Sequence, residues 1–230
     1  PKGTYALTYG NLPWAFMSLL YGAGGTLEND MDDLTKDVWR KPMEKLKEAY
    51  DAGVIAPMDV DGEQAFGSGK AVFAQLGTWA QGNMSNTLGA DKIAEANTLQ
   101  YSADNPVNFF YQCNWMQLKD PHRSAAKSAA AADFVKYVYE HWMDWSEVGS
   151  ISPAYRDLNN PEYQKLIQAS FTNSKKERDY IKTSNYLYGG YATAGWGTYN
   201  DIVYGNVGLE EGLKTLDLMA QGQIEIQEES

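Results

Sequence analysis

One stretch, Ala65 to Gln81 (AFGSGKAVFAQLGTWAQ), constrains the fold more than any other. Phe66 ends a short helix, and Gly67-Ser68-Gly69 makes a turn. Lys70 to Leu76 reads as a strand, mostly apolar with weak alternation, the pattern of a strand buried in an α/β sheet. Gly77 permits a sharp turn, and Thr78 is read as the N-cap of a second helix. The Trp79 indole then sits at a strand-to-helix turn, where open α/β sheets hold their ligands. A phosphate loop at Gly67 to Lys70 is excluded. That pattern needs Gly at 64 and Ser or Thr after the lysine, and the chain has Gln64 and Ala71.

The 230 residues carry a net charge of −11. Nucleic acid needs a basic surface, so it is excluded as a partner. The 16 Tyr and 7 Trp are abundant, and many lie among Gly, Asn and Ser. Their flat faces and polar edges suit sugar rings, although most aromatics in any chain serve the core. Cys113 is the single cysteine, so there is neither an intrachain disulfide nor a thiolate zinc framework. The sequence has no apolar run of transmembrane length. It begins at Pro1 with neither signal peptide nor initiator Met.

In chain order, Thr4 to Tyr9 reads as a strand. Asn11 is read as the cap of a helix with Pro13 in its first turn, a buried stripe of Phe16, Leu19, Leu20 and Ala23, and a stop at Gly24-Gly25. Trp14 sits in the first turn, slightly off that stripe, where it reads as a staple for the loop. Residues 28–37 read as a solvated acidic loop, because neither they nor Asp59 to Glu63 meet the EF-hand spacing. Val38 to Ala52 is an amphipathic helix with Met43, Leu46, Ala49 and Tyr50 inward, and Pro42 implies a late start or a kink. Residues 83–97 are helical or irregular. Leu99 to Asn108 is extended, and Phe109 to Lys119 is strand-rich. Ser124 to Trp142 is an Ala-rich helix with an apolar face of Phe134, Val135, Val138 and Tyr139. A helix is expected over Asn160 to Ala169, another from Trp196 to about Tyr204, and an amphipathic one in the tail around Leu213.

Several of these segments, in order, resemble the extracellular solute-binding proteins of carbohydrate ABC importers, the maltose-binding-protein-like family. The first is Phe66, Gly69, Lys70, the apolar strand, Gly77 and Trp79, with Ala71-Val72 where the family has Ala-Met. The others are the helix ending in Gly24-Gly25 with Trp14 in its first turn, the Ala131 to Tyr137 run, the Gly149 to Asp157 segment, and the tail Glu210-Glu211-Gly212-Leu213, where Gly212 replaces the usual Ala.

The resemblance implies an α/β, periplasmic-binding-protein-like (class II) two-lobe fold, here incomplete and missing most of the amino-terminal lobe. Residues 1–97 and 151–230 would form the carboxy-terminal lobe, and 98–150 the returning segment of the other. It implies a carbohydrate-binding component that captures a mono- or oligosaccharide in an interlobe cleft and delivers it to ABC permease subunits. The location would be extracytoplasmic, in the periplasm or lipid-anchored at the outer face of the membrane as a lipoprotein. The implied sugar contacts are Trp14 and Trp79, with Trp196 or Tyr191 as a third, and Tyr111 and Gln112 from the crossing strand. The bulky Tyr111-Gln112 stands where the family often has Gly-Gly. No catalytic residue, metal or cofactor is implied. Such a fragment would leave Phe134, Val135 and Val138 in need of a partner, either its own lobe or a second copy.

Two other classes compete. A glycosidase needs two carboxyl groups flanking one bond, one with a raised pKa. Glu63 and Asp157 are the nearest candidates, and they read better as a cap and a surface residue. His122 and His141 stand at opposite ends of one helix, so they form no metal pair. A non-catalytic interaction domain is the remaining alternative.

Overall fold

The computed structural model describes residues 3–10, 12–96, 98–109, 117–147, 157–169, 178–180 and 197–228. Packing divides the chain into two units. Pro1–Gly77, Asn97–Phe110 and Lys175–Ser230 form the first; Thr78–Ala96 and Tyr111–Ser174 form the second.

In the first unit β1 (Tyr5–Tyr9) and β2 (Ala71–Gln75) pair in parallel, Leu7 opposite Phe73 and Tyr9 opposite Gln75. A parallel pair needs a long crossover. Here it carries α1 (Leu12–Gly22), α2 (Leu27–Asp30), α3 (Asp37–Asp51) and α4 (Gly62–Gly67). Strand β2 is shorter than expected and is buried only at Ala71. Val72 and Phe73 are 68% and 66% exposed. Adjacent strand residues point to opposite faces, so both faces of β2 are open at its middle.

Helix α1 is buried almost all round rather than along one stripe. Leu12, Ala15, Phe16, Met17, Leu19, Leu20 and Tyr21 are all covered, while Ala23, expected in the stripe, is only half-buried. A helix apolar on every side is a core helix. Its end follows the sequence signal, with Gly24 at φ +94°. Helix α3 starts before Pro42 and runs through it, so the late start does not occur. The acidic 28–37 stretch is not all loop. Thr26 caps α2 by accepting from the Asn29 N–H at 3.2 Å, and the Thr26 N–H donates to Asp30 at 2.8 Å. The rest is solvated as expected. Asp33 accepts from the Thr35 hydroxyl, which holds its carboxyl below the usual range.

The core of this unit forms where α1 and α3 meet the last part of the chain. Phe16 stacks on Trp39 at 5.9 Å between centroids and leans on Tyr199 at 5.2 Å. Tyr199, Ile202 and Val203 come from α8 (197–203), and Leu213, Leu216 and Ala220 from α9 (Leu209–Glu228). Asp217 of α9 accepts from the Leu34 N–H at 3.0 Å. The 98–106 segment crosses the end of α1, where the Asn105 amide donates to the carbonyls of Tyr21 and Gly22, both at 3.0 Å. It leads into β3 (Val107–Phe109), which pairs in parallel with β4 (Arg178–Tyr180). The polar 172–190 sequence gives no sign of β4.

The second unit starts with a 3-10 turn, Thr78–Ala80, then α5 (Gln81–Leu88) and a second 3-10 turn, Ala90–Lys92. Thr78 is the first residue of its turn, not a helix cap, and Ala80 precedes α5 without a side-chain cap. Ser124 caps α6 (Ala125–Glu140) by accepting from the Lys127 N–H at 3.2 Å. No side chain of α6 is buried; Phe134 and Val135 are 52% and 42% exposed. Helix α7 (Trp142–Glu147) follows, and Trp142 packs on the fully buried Tyr163 at 5.6 Å. Of the helix expected over 160–169, residues 160–168 hold one 3-10 turn, Tyr163–Lys165, and Ala169 alone is α-helical. Asn160 accepts from the N–H of Glu162 at 2.9 Å, and the chain turns out of helical geometry at Leu166.

Candidate functional site

In the first unit the candidate residues lie where β1 and β2 end. Gly10 N–H donates to Gln75 C=O at 3.0 Å, closing the carboxyl ends of the two strands together. The amino-terminal turn of α4 packs against the same place. Thr8 is fully buried and its hydroxyl donates to Gly62 C=O at 3.3 Å. A Cβ on Gly62 would lie 3.2 Å from Tyr9 C=O, so this approach depends on glycine. Asp61, not Glu63, caps α4, accepting from Gln64 N–H at 2.7 Å. The Tyr9 hydroxyl is buried and has no hydrogen-bond partner among the described residues. Burial first, and Tyr204 second, push it above the ordinary tyrosine range. Trp14 is the third residue of α1, in its first turn, and is half-buried.

Trp79 lies in the second unit, in the 3-10 turn that follows β2 by two residues, and is 58% exposed. This turn is anchored from below. The Gln81 amide donates to the Gln168 carbonyl oxygen at 3.0 Å, and the fully buried Gln168 amide donates to Ser146 C=O at 2.8 Å. An aromatic with more than half of its surface in water can contact something other than this chain's core. Of the remaining expected contacts, Tyr111, Gln112, Tyr191 and Trp196 lie outside the described residues.

A cavity of about 300 Å³ opens in the second unit between residues 93–95 and 164–169. Ile93, Ala94, Leu166, Ile167 and Ala169 give it apolar walls; Glu95 and Gln164 bring polar groups. Burial raises the Glu95 carboxyl to about 7. The sequence reading passed over Glu95. It stands in an unremarkable polar stretch, and what desolvates it comes from residues some seventy positions later. Asp157 is exposed and accepts from the Asn159 N–H at 2.9 Å. Among the described residues no three His, Cys, Asp or Glu side chains gather to hold a metal ion, and no helix is long and apolar enough to cross a membrane.

No family model and no curated protein matches the chain. Solved structures do. The maltose/maltodextrin-binding domain MalE from Bdellovibrio bacteriovorus bound to maltotriose superposes with a TM-score of 0.68 at 15% identity, covering 97% of this chain and 61% of its own. The cyclic alpha-maltosyl-1,6-maltose binding protein from Arthrobacter globiformis superposes at 0.67 and 15%, covering 97% and 60%. An ABC transporter solute binding protein from Thermotoga lettingae bound with alpha-D-tagatose superposes at 0.61 and 16%, covering 95% and 60%. The chain therefore has the fold of these periplasmic-binding-protein-like proteins along nearly all of its length, and it spans about three fifths of theirs.

Proposed function

We propose that the chain is the larger piece of a carbohydrate-binding component of an ABC importer, capturing a mono- or oligosaccharide and handing it to permease subunits at the outer side of a membrane. The single observation that carries the reading is the exposed Trp79 indole on an anchored strand-to-helix turn, in a fold shared with three proteins described as binding saccharides. An indole offers a sugar ring an apolar face, and N–H groups at helix starts can meet its hydroxyls. Trp14 opens α1 and is assigned the second stacking face; Trp196 or Tyr191, Tyr111 and Gln112 complete the proposed contacts. The lobe assignment belongs to the same proposal, with 1–97 and 151–230 in the carboxy-terminal lobe and 98–150 in the returning segment. The component is non-enzymatic in this reading. Glycoside hydrolysis takes two carboxyl groups about 5–10 Å apart, and the described lining of the Glu95 cavity holds one.

Calorimetric titration of the protein and its Trp79→Ala variant with maltotriose, tagatose and a panel of simple sugars tests the reading. Loss of the stacked aromatic weakens the best ligand by about 1–3 kcal/mol, and the melting temperature is little changed because the indole is exposed. Unchanged affinity with a large fall in melting temperature makes Trp79 a structural residue and removes the site.

A further inference from the structure

Helix α5, which follows the Trp79 turn directly, has no cap of its own. Ala80 precedes it without a side-chain hydrogen bond, and its first turn holds no acidic residue. Ala80 and Met84 are buried and tie this stretch into the second unit, but apolar packing has no preferred direction. A hydrogen bond has one, and the Gln81 amide makes it to Gln168, 87 residues further along the chain. We propose that Gln168 is a positioning residue: through Gln81 it sets the orientation in which Trp79 meets a sugar. The last step rests on the reading of Trp79 as a sugar contact.

The surroundings of Gln168 fit it for this. It is fully buried, where an amide without partners is costly, and both ends of its amide are used. The N–H donates to Ser146 C=O at 2.8 Å, and the oxygen accepts from Gln81 at 3.0 Å. A backbone carbonyl only accepts, so Ser146 decides which way the Gln168 amide faces, and the oxygen is left for Gln81. The far end of this chain of bonds is held in turn. Ser146 is buried in α7, its hydroxyl donates to Trp142 C=O at 3.1 Å, and Trp142 packs on the fully buried Tyr163. At the near end Gln81 is the first residue of α5 and stands two places after Trp79. A shift of Gln81 therefore carries the indole with it, and stacking on a sugar ring depends on how the indole is tilted.

The 230-residue protein is labelled with fluorotryptophan and read by fluorine NMR, the Trp79 resonance being the one lost in Trp79→Phe. Gln168→Met keeps the length of the side chain and removes both of its hydrogen bonds; Gln81→Met removes the one they share. Each shifts or broadens the Trp79 resonance, while that of Trp39, fully buried in the first unit, stays in place. The double variant moves the Trp79 resonance no further than Gln168→Met alone, because both changes break one bond. A change that only lowered stability would leave every resonance in place below the melting temperature. Maltotriose, titrated calorimetrically, then binds Gln168→Met roughly tenfold more weakly than the unaltered protein, with the melting temperature well above that of the titration in both. An unmoved Trp79 resonance in Gln168→Met, a Trp39 resonance that moves with it, or displacements that add in the double variant each overturn the positioning role. A displaced Trp79 with unchanged maltotriose affinity overturns its link to the sugar. If the unaltered protein does not bind maltotriose, it is the sugar reading that fails, and the resonances decide the positioning role by themselves. Should Gln168→Met not fold, Gln81→Met, at the half-buried end of the chain of bonds, is compared in its place.

Discussion

Gly212 is where the tail helix meets the core most tightly. A Cβ built there meets Ile202 Cγ1 nearest of all, and lies 2.7 Å from Ile202 Cδ1 and 3.1 Å from Val207 Cγ1, closer than carbon atoms approach without something moving. Gly222, ten residues on in the same helix, has nothing within 4 Å of its Cβ position. The two glycines therefore separate helix propensity from packing. Gly222→Ala gains up to about 1 kcal/mol, because alanine gives up less backbone freedom than glycine in a helix. Gly212→Ala gains the same and also meets an overpacking cost of about 1–3 kcal/mol, so it is neutral to roughly 2 kcal/mol destabilising. Thermal melts should shift by about 2–4 °C per kcal/mol in a chain of this size, upward for Gly222→Ala and down or not at all for Gly212→Ala. Ile202→Ala removes both offending carbons, Cγ1 and Cδ1. The double variant Ile202→Ala with Gly212→Ala is then less destabilised than the two single changes added together. If Gly212→Ala stabilises the protein as much as Gly222→Ala does, the close approach of α8 to α9 is not there.

The remaining predictions concern a charge and a surface. Glu95 is raised from 4.5 to about 7 by burial, so the unfolded chain gives up this proton first. Stability is greatest below the unfolded value and falls as pH rises to about 7, by up to roughly 3 kcal/mol before solvent screening reduces it. Urea melts between pH 4 and 8 show that fall in the unaltered protein and lose it in Glu95→Gln; a flat profile in both removes the burial argument. On α6, changing Phe134 and Val135 to Ser should reduce self-association in light scattering with little loss of melting temperature, since neither side chain is buried. A large drop in melting temperature would show that the face is covered within one chain.

Elements whose signals are local were legible. The glycine stops and apolar periods behind β1, α1, α3, α6 and α9 lie within a few residues of what they specify, and each element is there; Asn11, read as the cap of α1, lies outside the described residues. Degree of burial was less legible, because it depends on what packs from elsewhere. The apolar composition of 70–76 suggested a covered strand, and Val72 and Phe73 face water. The single stripe read on α1 became a fully enclosed helix once α3, α8 and α9 closed on it. Strand β4 is three residues of polar sequence that pair with β3, some seventy positions earlier. At the site, Trp79 stood out because turn and aromatic are adjacent in sequence. Glu95 and the buried Gln81–Gln168–Ser146 chain did not, since each link joins segments distant along the chain.

The assembly of the first unit from three separated segments has a consequence for how the protein is made. The apolar surface of α1 and α3 leaves the ribosome early, yet Tyr199, Ile202, Leu213 and Leu216, which cover it, are synthesised more than a hundred and fifty residues later. At about 5–20 residues per second, that surface waits roughly ten to thirty seconds for its cover. Throughout that interval the nascent chain is a client for chaperones or translocation factors, and a pause in translation before α9 lengthens its exposure. Synonymous codons in the stretch encoding residues 150–210 thus bear on the yield of folded protein, although they change no residue of it.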